Sequence, residues 1–221
     1  MSNSPRVLVA DDEVRFAEAL RQGLSRTDYD VTVVNDGDAA LARALSGGFD
    51  LILLDLMLPG LSGYRVVERL RAAGNQTPII MLTAKDGEYD EADAFDLGVD
   101  DYLTKPFSTV VLLARMRSLL RRSPDTAVQE VVVGDLRLDP RKHRCMLGST
   151  NVTLTPREFD VTLYLAQRAG SVVSKRELLE HVWDEPELDP NVVEVCILQV
   201  RKKLGNELIS TVRGVGYRLG E

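Results

Sequence analysis

The chain has 221 residues, 44% of them apolar and 28% charged, with a formal net charge of -7. That length suits two domains, each large enough to bury its own core, and no apolar run is long enough to cross a bilayer. The opening MSNSPRVLVADDE is wrong for a secretory signal, Cys145 and Cys196 show no disulfide-framework or zinc spacing, and the acidic balance disfavours a nucleic-acid binder unless basic charge is concentrated locally.

From Arg6 to about Arg122, short aliphatic runs alternate with amphipathic stretches. RVLVA (6–10), DVTVV (30–34), DLILL (50–54), PIIML (78–82) and DYLT (101–104) read as strands. The third and fourth are apolar almost throughout, as strands buried on both faces are. Between them Val14, Ala17, Leu20 and Leu24 recur at helical spacing, then Ala40, Leu41, Ala44 and Leu45, then Tyr64, Val67 and Leu70. Such alternation predicts right-handed crossovers and an α/β, doubly wound, five-stranded parallel sheet. A last helix starts near Ser108 and ends in LLRRSPDTAVQ, where basic residues suit the carboxyl end and Ser123-Pro124 breaks the pattern. The domains are therefore placed at 1–122 and 130–221, with a linker at 123–129.

The second half reads as short strands, VVVGDLRLD and RCMLGSTNVTLT, with turns at Asp139-Pro140 and at 148–151. Three helical stretches follow, opened by Thr155-Pro156, Ser174 and Asp189-Pro190, and STVRGVGYRL closes the chain as a hairpin turning at 214–216. Strands, three helices and a hairpin predict an α+β winged helix-turn-helix domain.

Open parallel sheets bind ligands beyond the carboxyl ends of their strands. Those ends carry Asp11 and Asp12, then Asp55, then Thr83, then Lys105. A charged group at the tip of a buried strand is costly to desolvate without partners, so Asp55, closing the run LILLD, points to the others. Clustered carboxylates call for a counter-charge, and oxygen-only ligands suit magnesium, a hard ion that shares its coordination with phosphate. With a lysine and a hydroxyl beside it, the set fits phosphoryl transfer to a carboxylate nucleophile.

DD at 11–12, LDLMLPGLSG, LTA at 82–84, GVDDYLTKPF at 98–107 and RGVGYR near the end together resemble a two-component response regulator of the OmpR/PhoB family, from Arg6 to Leu219. The resemblance implies a flavodoxin-like receiver with strand order 2-1-3-4-5. Within it Asp55 accepts a phosphoryl group from a sensor histidine kinase. It implies Mg2+ bound by Asp12 and Asp55, by Asp11 through water and by the backbone carbonyl of Met57, with Lys105 and Thr83 turned to the phosphoryl group. Thr83 and Tyr102 are then the switch pair, and the bond before Pro106 is expected to be cis. Phosphorylated receivers of the family pair through the fourth helix, fifth strand and fifth helix. Asp100, Asp101, Arg115 and Arg122 are present for that role, although Glu91 and Val111 depart from the usual charges and Val110, Val111 and Leu112 offer apolar surface or face the sheet. The expected partners are the kinase, promoter double-stranded DNA, a second copy of the chain and RNA polymerase, in the bacterial cytoplasm and away from membrane.

The second half, from 123, carries 13 Lys and Arg against 15 Asp and Glu, but from 191 onward the balance turns basic. By resemblance NVVEVCILQVRKKLG is the recognition helix for the major groove, buried through Val192 and Val195 with Cys196 or Val200. The wing carries Arg213 to the minor groove. Arg201, Lys202 and Lys203 suit phosphates or bases, and Gln199 suits adenine through its amide. An aspartyl-phosphate hydrolase would instead want an acid where Met57 stands and a cap domain. The other readings are an output half that binds protein or RNA, or a pocket kept as a relic. The chain is expected to be no enzyme beyond its own phosphorylation and dephosphorylation.

Overall fold

A computed structural model describes residues 4–84, 98–120, 130–186 and 188–220. Its contacts divide the chain into two compact units, Met1–Leu120 and Arg121–Glu221.

In the first unit, β1 (Arg6–Ala10), β2 (Asp30–Val34), β3 (Leu51–Asp55), β4 (Ile79–Ala84) and β5 (Asp101–Lys105) form one parallel sheet in the order β2-β1-β3-β4-β5. The doubly wound arrangement and its 2-1-3-4-5 order are those expected. Side chains alternate across a strand, so the aliphatic runs feed two cores. Leu8, Ala10, Ile52, Leu54, Ile79 and Met81 pack on one face with α2 (Gly37–Leu45) and α3 (Gly63–Ala72). Val7, Val9, Leu51, Leu53, Ile80 and Leu82 pack on the other with α1 (Val14–Ser25) and the helix Thr109–Leu120. Each fully buried aliphatic side chain contributes about 1.5–3 kcal/mol, so the register is strongly specified. Sequence spacing misassigned the edges of two helices: Val14 and Leu45, expected on apolar stripes, are exposed.

The expected fourth helix with Glu91, together with Arg122 and the linker 123–129, lies outside the described residues. Among the described residues no helix is long and apolar enough to cross a membrane.

The second unit opens with an antiparallel sheet of β6 (Val131–Val133), β7 (Leu136–Asp139), β8 (Arg144–Leu147) and β9 (Thr150–Val152). Leu147 pairs with Thr150, so the turn at 148 is tighter than expected and Asn151 already belongs to β9. The helix Pro156–Ala166 begins in a reciprocal cap between Thr155 and Glu158, with Pro156 in its first turn. The second helix, Lys175–Leu178, is capped by Ser174 and runs on as a wider turn, Leu179–Trp183. After the third helix, Asn191–Leu204, β11 (Ile209–Val212) and β12 (Gly216–Leu219) form the hairpin, with β10 (Val173–Ser174) on the outer edge of β12. Gly216 permits that pairing, because a Cβ there would stand 2.0 Å from the Val173 carbonyl oxygen. The result is the winged helix.

Candidate functional site

Four strand ends bring the chemistry together. Asp11 and Asp12 follow β1, Asp55 ends β3, Thr83 lies near the end of β4, and Lys105 ends β5. Asp11 and Asp55 are buried and Asp12 is exposed, and each offers a carboxylate oxygen within 4.8 Å of the other two. The Lys105 ammonium donates to Asp11 Oδ2 at 2.7 Å and also to Asp55 Oδ2. The second oxygen of Asp55 accepts from the Met57 backbone N–H at 2.7 Å, and Asp11 Oδ1 accepts from the Glu13 N–H at 3.0 Å. Both carboxylates are thus held through both oxygens.

Backbone geometry supports this edge. Gly63 opens α3 directly beneath the end of β3, where a Cβ would lie 2.4 Å from the Asp55 carbonyl oxygen. Asn35, which sequence reading passed over, donates from its side chain to the Asp11 carbonyl at 2.7 Å and ties the end of β2 to that of β1. Thr83 is buried and donates to the Ala84 carbonyl at 3.1 Å, the Lys105–Pro106 bond is cis, and the Met57 side chain is exposed. Tyr102 is half-buried against the core beside α3.

Charge follows from this packing. Burial raises the Asp11 carboxyl above the ordinary carboxylate range and the Asp55 charge adds to the rise, against hydrogen bonding and attraction from Lys105. For Lys105 burial disfavours the charge, but the bonds to Asp11 and Asp55 outweigh it and raise its pKa. Three clustered carboxylates and one ammonium leave an excess of negative charge and a donor set of oxygens alone. That set fits a hard divalent ion such as Mg2+.

The charged residues expected to bridge two receivers are used inside one. Asp100 is buried, pairs with Arg71 at 3.0 Å and accepts from the Ile79 N–H. Asp101, also buried, pairs with Arg115 at 2.5 Å and accepts from the Tyr102 N–H at 2.8 Å. Asp100, Asp101 and Arg115, expected at the dimer face, are here buried and paired within their own chain, as acids at that depth require. On the following helix Leu112 faces the sheet, Val111 is half-buried and Val110 is exposed.

In the second unit, the buried side of Asn191–Leu204 comprises Val192, Val193, Cys196, Ile197, Gln199, Val200 and Leu204. Gln199 is 8% exposed, so its expected presentation to adenine is corrected. It lies two helical turns from Val192 and next to Val200, on the core side, while Val195 is only half-buried. Arg201 is turned inward, donating to the Ile209 carbonyl and to Thr211 Oγ1, both at 2.7 Å, and Lys203 pairs with Glu158 at 2.6 Å. Arg201 thus braces the hairpin within its own chain, and Lys203, though paired with Glu158, remains exposed. Lys202 is exposed, as is Arg213 between β11 and β12.

Comparison with known proteins follows the same division. Residues 7–117 match the response regulator receiver domain, and residues 149–219 match the transcriptional regulatory protein, C terminal, family. The response regulator protein PmrA of Pseudomonas aeruginosa is 39% identical, covering 98% of both chains. The alkaline phosphatase synthesis transcriptional regulatory protein PhoP of Bacillus subtilis is 39% identical over 98% of this chain and 97% of its own. Among solved structures, a mutant of RitR matches with a TM-score of 0.78 at 30% identity, over 98% of this chain and 99% of its own. DrrB, a Thermotoga maritima OmpR/PhoB homologue, matches with a TM-score of 0.54 at 30% identity over the same shares.

Proposed function

The chain belongs to the two-component response regulators of OmpR/PhoB type, with a receiver and a DNA-binding domain, and from that premise we propose that Asp55 is phosphorylated by a sensor histidine kinase to drive pairing and promoter binding. The observation that carries this reading is Lys105 donating to both Asp11 and Asp55 at the mouth of a three-carboxylate cluster. An Asp55 carboxylate oxygen attacks phosphorus, an O–P bond forms, and the P–N bond of the kinase phosphohistidine breaks with its electron pair leaving on the imidazole. The Met57 N–H holds one Asp55 oxygen and so orients the other. Lys105 exchanges its carboxylate contact for the phosphoryl oxygens, and the Thr83 hydroxyl turns from the Ala84 carbonyl toward the same charge. Asp11, Asp12, Asp55 and the Met57 carbonyl would hold Mg2+, which when bound supplies neutralisation of the transferring group. The chain catalyses only this reaction on itself and its reversal by water.

Phosphorylation replaces the Asp55 carboxylate charge with about -1.5 to -2 spread over the phosphoryl oxygens, which biases Thr83 and Tyr102 toward a second arrangement. Residues 1–122 act as receiver, joined by 123–129 to the effector 130–221. Two copies pair through the fourth helix, fifth strand and fifth helix, with exposed Val110 adding apolar contact. The helix Asn191–Leu204 enters the major groove with Lys202 outward, and Arg213 on the wing reaches the minor groove. The cytoplasmic complex then engages RNA polymerase.

The test is incubation with Mg2+ and acetyl phosphate, followed by intact mass of wild type and Asp55→Asn. Wild type is expected to gain one phosphoryl group and the variant none. Absence of the gain in wild type, or equal gain in both, overturns the proposal.

A further inference from the structure

Above the Lys105 ammonium lies a ring that the phosphorylation chemistry does not require. Lys105 Nζ stands 4.5 Å from the centroid of Phe16, in the first turn of α1. The Phe16 ring in turn meets the edge of Phe107, with centroids 5.8 Å apart and planes at 73°. Both rings are half-buried against the core beneath α1, so the pair ties the start of α1 to the segment after β5 across the pocket mouth.

We propose that Phe16 is a positioning residue for Lys105, its ring face holding the ammonium at the pocket mouth while the lysine exchanges Asp55 for the phosphoryl oxygens. This rests on the reading of Asp55 as acceptor. A lysine is a compact charge on a flexible four-carbon stem, and here it has three neighbours of two kinds: the carboxylates of Asp11 and Asp55, and the ring. Esterification removes the free charge of the Asp55 oxygen, so the attraction on that side must be replaced by oxygens farther out. The ring is unchanged by the reaction. Its negative face attracts the ammonium electrostatically in both states and shortens the search between them. The edge-to-face contact with Phe107 is a favoured aromatic geometry and fixes the plane of Phe16, so the face rather than the edge is presented. A leucine at 16 would fill similar core volume without that attraction.

The test compares the full-length wild type, Phe16→Leu and Phe16→Tyr in the presence of Mg2+, measuring initial phosphorylation rate against acetyl phosphate concentration. Phe16→Leu is expected to lower the maximal rate about three- to tenfold with little change in the half-saturating donor concentration, whereas Phe16→Tyr keeps the wild-type rate. In the unphosphorylated protein, the Lys105 ε-methylene protons should be shifted upfield by the ring current in wild type and Phe16→Tyr but not in Phe16→Leu. A Phe16→Leu chain as fast as an active wild type, equal slowing by Leu and Tyr, or the absence of a ring-current shift overturns the positioning role alone. A wild type that takes no phosphoryl group overturns the acceptor reading and this role with it.

Discussion

Replacing Arg115 by Met should destabilise the receiver by about 3–5 kcal/mol, the cost of leaving a buried acid without its partner. The side chains of Arg115 and Asp101 are 7% and 2% exposed, and their 2.5 Å contact lies within one chain. Coulomb attraction at that depth is poorly screened by salt. Asp101→Asn in the Arg115→Met background removes the stranded charge while an amide oxygen still accepts from the Tyr102 N–H. The double variant should therefore regain most of the loss, giving a coupling energy of several kcal/mol across the cycle. Urea unfolding of the four proteins, followed at low and high protein concentration, measures this. A single-variant cost below about 1 kcal/mol, the range of exposed ion pairs, would show that the pair is not the buried internal contact described. A cost seen only where the chain is dimeric would show that Arg115 serves a partner instead.

Burial pushes the Cys145 thiol up to about 11, so it is protonated below that pH and should resist a thiol reagent at pH 8 in the native protein, reacting after unfolding; fast native labelling located by peptide mapping would refute this. Gly63→Ala should cost about 1–3 kcal/mol and slow phosphorylation, since the new Cβ meets the Asp55 carbonyl oxygen at 2.4 Å; urea unfolding and intact-mass kinetics check both, and an unchanged midpoint counts against the close approach. Arg213→Ala, at the exposed hairpin turn, should weaken duplex binding and reduce the slope of log affinity against log salt by about 1. An unchanged slope in fluorescence anisotropy titrations would remove Arg213 from the phosphate contacts.

The parallel sheet and the pocket were legible because they rest on short-range rules, whereas the strand order came with the family resemblance. A run such as LILLD can be buried only in a sheet covered on both faces, and its terminal acid then has one place to go. The pairing of Asp100 with Arg71 and of Asp101 with Arg115 was not legible, since DD with one arginine 29 residues before it and another 14 after it reads equally as an exposed face. Gln199 failed for a different reason. A helix turns about 100° per residue, so a side chain at the border of the apolar stripe changes sides with a small error in its assumed centre, and Val195 and Gln199 both sit at that border. The contact of Lys105 with Phe16 joins the first turn of α1 to the end of β5, far apart in sequence, and nothing local announces it.

The pocket's resting charge explains why the lysine alone cannot complete it. Three carboxylates and one ammonium sum to two net negative charges when all are ionised. Burial above all, with a smaller contribution from the Asp55 charge, raises the Asp11 carboxyl against the pull of Lys105. Esterifying Asp55 removes one carboxylate charge but brings about -1.5 to -2 on the phosphoryl oxygens, so the excess grows. Lys105 keeps its charge across the physiological range, because its bonds to Asp11 and Asp55 outweigh burial and raise its pKa, so its ion pairs are lost only as the pH climbs past that raised value. It therefore has no further charge to offer. A dication bound by Asp11, Asp12 and Asp55 would cancel the resting excess and leave the phosphorylated pocket with only about -0.5 to -1, closer to neutral than it is at rest without the ion. Acid cluster, lysine and metal-fitting oxygen set are then parts of one electrostatic balance, which the exposed Asp12 beside two buried acids leaves open to solvent.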